Sequence, residues 1–562
     1  MTPTPAIALA IDHGSTWTKA SVIGRVAGRW HVAAHVSQPT AWGEDELLRA
    51  LTARLAARAD RRWTSAVPAL VGRASRIECH TPGRPGRIGL AAVSRDISGQ
   101  TARRAAESAG WVIAESATLD DGRSLAERLT ALQAADVDAW LLAGGFEGAD
   151  AEQALEVAGL VAAARATGTG PVIWAGAANL AGEVEELFEP GAVTVVENPK
   201  PSADVERPLQ LRAGLEGLLR LIVEPEGSLH LAPTAFGRSV GTVGRISGLN
   251  VLGVDLGARY ATWALCGERG VETRVHAEGG LGSPALAAPA IAGRLSRSLP
   301  RDVDETSVAD TLQNMRTRPA AVPQTQDEIA VMHAAARHQL AALVGASAVQ
   351  GVDLLVGSGR AIAAFPRPGQ AAELLVEGIR PLGVTQLAVD AAGVLAPLGS
   401  LDDEDLGEGV GALLGDALAP LGTAVITRGG NPGDPALRLW LRPLPASGGR
   451  GVNGAVPGIG HGGDDDRVGA ALEVRYGQLL ILPLPYGRRA EVHLELEPGV
   501  SLGAARRSRE VRTRVVGGAV GLIVDTRDMP IALPRRADDR EAVLTSWHET
   551  FVREHATELP LR

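Results

Sequence analysis

Two stretches, about one domain length apart, each run apolar strand, Asp-x-Gly turn, apolar strand, and this repetition constrains the fold more than any other feature. The first is Ile7-Ala-Leu-Ala-Ile-Asp-His-Gly-Ser-Thr-Trp-Thr-Lys19; the second is Leu252-Gly-Val-Asp-Leu-Gly-Ala-Arg-Tyr-Ala-Thr-Trp-Ala-Leu265. Residues 7–11 and 17–23 hold β-branched and aromatic residues suited to strands, whereas Asp12-His13-Gly14-Ser15 are turn formers, so a β-hairpin is predicted. Gly14 lets backbone approach a ligand closely. Ser15, Thr16, Thr18 and Lys19 offer hydroxyl, amide and ammonium donors to phosphate oxygens, and Asp12 can hold magnesium through water, since that ion keeps much of its hydration. Asp255, Gly257 and the Ala258-Arg259 turn repeat the frame, and Asp255 is the second expected magnesium residue. Singly, each stretch also reads as an ordinary hairpin with a polar turn, because short motifs match by chance. Together they predict a duplicated fold that clamps a ligand between two lobes.

The intervening chain alternates strands and helices, which implies an α/β sheet. Strands are expected at 30–36, 67–71, 88–93 and 171–176, residues 139–148 read as a buried strand ending in a glycine turn, and helices are expected at 45–59, 101–109 and 152–166. Leu47, Leu48, Leu51 and Leu55 mark one side of the first helix. Gly144, Gly145 and Glu147 follow a buried strand, the usual ligand position in open α/β sheets, although glycines there equally mark a tight turn before a helix. Residues 210–222 read as a linking helix, and the second lobe starts near Asn250. The polar stretch 296–326 reads as surface or lid. His333 and His338 lie five apart on a helix predicted over 328–343, on different faces, so they are read as core or surface rather than as metal ligands.

At 562 residues the chain is too long for one core and should form two or three domains. A net charge of -10 argues against nucleic acid as a partner. Lys19 and Lys200 are the only lysines among 55 basic residues, which makes Lys19 conspicuous. Two cysteines, Cys79 and Cys266, make neither a disulfide framework nor a metal cluster, so a cytoplasmic location is expected. The absence of any run of about eighteen apolar residues predicts a soluble protein with no membrane partner.

The paired hairpins resemble the actin, sugar-kinase and heat-shock ATPase superfamily, in which two such hairpins grip phosphates from opposite sides. That resemblance implies a third element, a glycine-rich turn that holds adenosine, and Val352-Asp-Leu-Leu-Val-Gly-Ser-Gly-Arg360 fits it at Gly357, Ser358 and Gly359. A narrower likeness runs over roughly residues 5–400. Asp-x-Gly-Ser-Thr-x-Thr-Lys (12–19), Leu-Leu-Ala-Gly-Gly-x-x-Gly (141–148), Pro-Val-Ile-x-Ala-Gly (171–176), Asp-x-Gly (255–257), Glu-Gly-x-Leu-Gly (278–282), Ala-x-Arg-His (335–338) and Val-Gly-Ser-Gly (356–359) stand in one order. Residues 382–390 and 393–399 are similar as well. This order resembles the MutL-type accessory protein of adenosylcobalamin-dependent glutamate mutase, unrelated to the mismatch-repair protein of that name. The resemblance implies ATP or ADP and magnesium as cofactors, a mutase subunit as partner, and lobe motion that helps a damaged cofactor leave.

The chain departs from the family pattern in three places. The second hairpin lacks both threonine hydroxyls and carries Arg259 and Tyr260, Gly280 stands for an Asp, and His13 stands beside the acid where the family has a small or apolar residue. Asp12 is therefore expected to carry more of the binding than Asp255, with Arg259 taking over part of the phosphate contact.

Beyond residue 424, short alternating stretches separated by Gly and Pro predict a small β-barrel or sandwich, with a loop over 448–466 whose Asp464–Asp466 run reads as solvated. The expected division is residues 1–245 and 246–420 as two ribonuclease-H-like (actin-like ATPase) lobes in an α/β fold, and 421–562 as a C-terminal all-β module with a short terminal helix. The chain has no P-loop, zincin or nucleophile-elbow motif. An ATP-binding, slowly hydrolysing accessory protein leads; a small-molecule kinase of the same fold and a degenerate, non-hydrolysing scaffold are the alternatives.

Overall fold

The computed structural model describes residues 7–26, 29–57, 71, 74–148, 152–165, 170–223, 230–268, 270–345, 349–444, 471–503, 508–528 and 531–553. They divide into two compact units. Unit 1 comprises residues 1–81, 229–273 and 279–562, and unit 2 comprises residues 82–228 and 274–278.

Unit 1 opens with β1 (Ile7–His13), β2 (Trp17–Val26), β3 (Arg29–Pro39) and β4 (Ser75–His80). Strand alternation sends Leu9 and Ile11 to one face, against Leu47, Leu51 and Leu55 of the helix Glu44–Ala56, and Ala10 to the other, against Phe236. The three leucines recur every four residues, as a helix needs to present one apolar stripe, and burying each contributes roughly 1.5–3 kcal/mol. Residues 67–70 of the strand expected over 67–71 lie outside the described residues.

Unit 2 follows with β5 (Gly86–Ala92), β6 (Trp111–Thr118), β7 (Ala139–Gly144), β8 (Val172–Gly176) and β9 (Val193–Val195). All pairings are parallel, in the order β6-β5-β7-β8-β9. This is the 2-1-3-4-5 order of flavodoxin-like sheets. The helices expected over 101–109, 152–166 and 210–222 are Gln100–Ser108, Glu152–Arg165 and Pro208–Val223, all within this unit.

The chain returns to unit 1 at β10 (His230–Leu231), which completes a sheet of order β10-β4-β1-β2-β3. β11 (Val251–Leu256), β12 (Ala261–Gly267), β13 (Gly270–His276), β14 (Leu354–Ser358) and β15 (Gly383–Asp390) then repeat that order as β13-β12-β11-β14-β15. Directions match too. β1–β2 and β11–β12 are antiparallel, whereas β1–β4, β11–β14, β4–β10 and β14–β15 are parallel. The chain is thus α/β with duplicated ribonuclease-H-like lobes. The helix Ala232–Ser247 joins them, with Phe236, Val240 and Val243 packed among strand residues of both sheets.

Past residue 417 the structure departs from the expected division. β16 (Leu418–Ile426) pairs antiparallel with β15, β22 (Gly521–Asp525) pairs with β16, and β19 (Leu479–Leu482) with β22, so the second-lobe sheet grows to eight strands. Only β17 (Pro435–Pro443), β18 (Leu472–Arg475), β20 (Arg489–Leu496) and β21 (Glu510–Val516) make a separate four-stranded antiparallel sheet. The boundary expected near residue 421 falls inside β16, because backbone hydrogen bonds tie the C-terminal strands to the lobe. The boundary near residue 245 falls at the end of the helix Ala232–Ser247 that joins the lobes; what the expected division lacks is the separate core of residues 82–228, which it places inside the first lobe. The expected loop over 448–466, with Asp464–Asp466, lies outside the described residues. The helix Ala537–Val552 ends the described chain; a Cβ at Gly369 would overlap its Phe551 carbonyl, so two helices meet there at backbone distance. Among the described residues no helix is long and apolar enough to cross a membrane.

Candidate functional site

Asp12 sits near the carboxyl end of β1 and Asp255 near that of β11, where ligands bind in open α/β sheets. The ladder decides what faces each. Across the antiparallel pair, Asp12 opposes Lys19, while Asp255 opposes Thr262. On the parallel side, Asp12 neighbours Cys79 and Asp255 neighbours Ser358.

Lys19 Nζ lies 2.6 Å from Asp12 Oδ2. Burial opposes the Lys19 charge, but Asp12, Asp255 and Asp390 together outweigh it and hold its pKa above the ordinary value. The Asp255 carboxylate has no hydrogen-bond partner among the described residues; burial pushes its pKa up to about 6 against the pull of Lys19, helped by repulsion from Asp12 and Asp390. Burial also raises Asp390, whose carboxylate accepts from Val394 N (3.0 Å), Leu395 N (3.1 Å) and Ser358 Oγ (3.2 Å). Three carboxylates share one ammonium, so the cluster carries two net negative charges when ionised.

Both turns are set by close approaches. A Cβ at Gly14 would overlap the Trp17 carbonyl, and Thr40 clasps this turn by donating from Oγ1 to Gly14 O (2.8 Å) and from N to Thr16 O (2.9 Å). Thr18 spends its hydroxyl on Thr40 (3.0 Å), whereas the Ser15 and Thr16 hydroxyls have no partner among the described residues. The second turn is clasped by 280–282: Gly280 N donates to Arg259 O (2.8 Å), Leu281 N to Gly257 O (3.1 Å) and Gly282 N to Ala258 O (2.6 Å). A Cβ at Gly280 would come within 2.5 Å of the Arg259 carbonyl carbon, which explains why no Asp stands there. The Arg259 side chain is exposed. His13 lies 3.7 Å from Glu78.

Gly359 (φ +83°) abuts Asp255, and the next residue, Arg360, places its guanidinium 3.5 Å from the centre of the Trp17 ring, joining the lobes. A cavity of about 200 Å³ lies on one side, lined by Gly257, Ala258, Met315, Met332 and Ala361. Another of about 440 Å³, lined by Lys19, Trp42, Arg54, Asp390 and Gly393, lies on the other.

Asp12, Lys19, Asp255, Ser358 and Gly359 therefore converge, with the Gly14–Thr16 and Gly257–Ala258 turns beside them. Gly357 does not join them: a Cβ there would meet Ile362 and Leu375 in the lobe core. Gly144 and Gly145 belong to unit 2, where Gly144 is pressed against Val93 and the Gly145 carbonyl accepts from Asn198 Nδ2 (2.9 Å). The unit 1 cluster is built without them. Glu147, also in unit 2, accepts from Asn198 (3.0 Å) and from Ala178 N (3.2 Å). His333 is buried and bonds the Gln370 carbonyl (3.0 Å), as a core histidine does.

Asp390 and Gly393 were missed as site residues. Their signal is an acid closing an apolar strand, followed by Ala-Ala-Gly, and it becomes specific only once the parallel pairing of β14 with β15 brings Asp390 to Ser358. The donor set suits a hard cation: carboxylates and hydroxyls are oxygen ligands. Burial and Asp12 keep the nearby Cys79 thiol protonated, with its pKa well above ordinary, so the site offers no thiolate for a soft metal.

Residues 8–234 match the MutL protein family. The recognition made from the motif order holds over this stretch, which takes in the first-lobe hairpin and the whole of the unit 2 sheet. Comparison with curated proteins finds no match. Among solved structures, the chain is similar to nucleotide-free acetone carboxylase (11% identity, covering 71% of this chain and 70% of that one, TM-score 0.31). It is also similar to component A of (R)-2-hydroxyglutaryl-CoA dehydratase from Acidaminococcus fermentans (9%, 70% and 95%, TM-score 0.23) and to the ROK hexokinase from Thermus thermophilus (15%, 70% and 98%, TM-score 0.21). Scores this low add nothing to the fold assignment, which rests on the matching strand orders of the two lobes.

Proposed function

We propose that the chain is a MutL-type accessory protein that binds ATP or ADP with magnesium between its two unit 1 lobes and serves an adenosylcobalamin-dependent mutase such as glutamate mutase. The observation that carries the nucleotide reading is the convergence of Asp12, Lys19 and Asp255 from two equivalent hairpins, with Asp390 beside them. The MutL match supports the accessory role and, by resemblance, the mutase.

In this reading Asp255 and Asp12 hold the hydrated cation, and the Ser15 and Thr16 hydroxyls with the amides of both turns receive phosphate oxygens. The apolar cavity beside Ala258 and Met332 takes the base. Magnesium, when bound, neutralises phosphate charge and draws electron density from the bond to be broken. Lys19 can turn from Asp12 to phosphate, and Gly359 allows Asp255 to approach the backbone of the adenosine-side turn. Isothermal titration with ATP, ADP and a non-hydrolysable analogue tests binding: no heat with any of them sinks it. Co-purification with a cobalamin-dependent mutase, with and without nucleotide, tests the partner.

One observation favours the kinase alternative. An unpaired carboxylate raised to about 6, as Asp255 is, suits a general base for a substrate hydroxyl. Fast ADP release that depends on an added sugar or hydroxy acid would select that reading.

A further inference from the structure

A third cavity, remote from the carboxylate cluster in its lining residues, lies in unit 1 and measures about 700 Å³. It is bounded by the helices Pro289–Ser296, Gln326–Val344, Pro368–Ile379 and Ala537–Val552. Its walls are apolar, with Leu295, Val344, Ile379, Leu533, Leu544 and Trp547 among them. The size falls within the range of about 300–1,000 Å³ typical of sites for small organic molecules.

The charge of this cavity is opposite to that of the chain. Four arginines line it, Arg294, Arg337, Arg380 and Arg428, against one acid, Glu377, so the lining carries three net positive charges in a protein of net -10. Two of the arginines are committed. Arg337 pairs with Glu377 (2.5 Å), and Arg380, held at φ +53°, donates to Asp525 (3.0 Å) and to the Asp528 carbonyl. Behind the wall, Arg527 joins Asp525 (2.8 Å) and Glu377 (2.6 Å). Counting all five arginines against Glu377 and Asp525 again leaves three positive charges. Arg294 and the Arg428 side chain are exposed and have no ion-pair partner among the described residues. Burial, and then Arg294, push the pKa of His338, also in the lining, below its ordinary value. A site with uncommitted guanidiniums on its rim and hydrocarbon inside selects an oxyanion on an apolar body, because each part of such a ligand meets its complement.

From this geometry we infer that the cavity binds an amphipathic organic anion, with its carboxylate or phosphate head between Arg294 and Arg428 and its apolar body against Leu295, Leu544 and Trp547. The inference is independent of the nucleotide reading, since no residue is shared with that site.

Isothermal titration of the full chain with decanoate, decyl phosphate and decan-1-ol, each below its micellar range, tests it. One decanoate should bind per chain, and decan-1-ol at least tenfold more weakly. Tighter binding of decyl phosphate than of decanoate would mark the head as phosphate, and the reverse as carboxylate; either supports the site. The double variant Arg294→Ser/Arg428→Ser, both at exposed positions, should weaken both anions tenfold or more and leave decan-1-ol within twofold. Ala341→Trp, from an exposed position of the lining, should abolish binding of all three while the thermal unfolding midpoint stays unchanged. Equal affinity for decanoate and decan-1-ol, undiminished decanoate binding in the double variant, or binding that survives Ala341→Trp would each overturn the proposal.

Discussion

The two hairpins of unit 1 share a backbone and differ in charge. In the first, Asp12 faces Lys19 across the ladder and is neutralised within its own hairpin at 2.6 Å. In the second, the same rung places Thr262 opposite Asp255, which is left with no counter-charge of its own and draws on Lys19 from the other lobe. One hairpin is self-sufficient and the other depends on what lies between the lobes. On the proposed reading a cation bound there would draw most on the second hairpin, whereas the sequence leads one to expect more from Asp12; magnesium-nucleotide affinities of Asp12→Ala and Asp255→Ala decide between the two.

The largest test of this asymmetry is stability. Asp12→Ala should cost about 3 kcal/mol in urea unfolding, because it takes the nearest partner from a largely buried ammonium and leaves it only the more distant Asp255 and Asp390, whereas removing both partners as Asp12→Leu/Lys19→Met should cost less. Asp255→Asn should act in the opposite direction. The wild-type carboxyl has a folded pKa near 6, above its ordinary value of 3.8, so the folded state holds the proton more tightly and stability falls as pH rises through that window. The Asn variant should therefore be more stable than the parent by roughly 1–3 kcal/mol at pH 8, with the gain fading below pH 4. Equal and same-signed effects at Asp12 and Asp255 would break the comparison.

Smaller effects sharpen it. Lys19→Met should tighten magnesium binding in the absence of nucleotide by about tenfold, or ~1.4 kcal/mol, by removing the resident cation from three carboxylates. Weaker magnesium binding in that variant would show that Lys19 organises the cluster instead of competing for it. Gly393→Ala is the mildest change. Gly393 has φ +65°, and a Cβ there would lie 2.8 Å from Lys19 Cδ, the movable end of a long side chain. A loss of about 1 kcal/mol in unfolding is expected, together with a small shift in magnesium affinity as Lys19 is displaced.

The strands, the helices and the pairing of two hairpins were readable because each rests on local physics. Alternation in residues 7–11 and 251–256, the four-residue leucine spacing of 47, 51 and 55, and a turn that only glycine tolerates at Gly14 are properties of a few consecutive residues. The motif order that singled out the MutL family is equally a property of the linear chain, and the family match over 8–234 takes in its first three motifs.

Long-range pairing decided the rest. Residues 82–228 read as a continuation of the first lobe because strand–helix alternation looks the same in any α/β sheet; only the pairing of β5 through β9 with one another makes them a separate unit. Residues 421–562 read as a separate module because alternation does not name a partner, yet β16, which crosses that boundary, and β19 and β22 within the module all join the second-lobe sheet. Asp390 stands 378 positions from Asp12 in sequence, as its number minus that of Asp12 gives (390 − 12). It entered the cluster through the parallel alignment of β14 with β15. Sequence determined which segments could form strands, turns and helices and which side chains bear charge, since those follow from residues within a turn or two. Tertiary structure alone decided which charges meet, because the energy of a buried carboxylate depends on neighbours that the chain brings together only by folding.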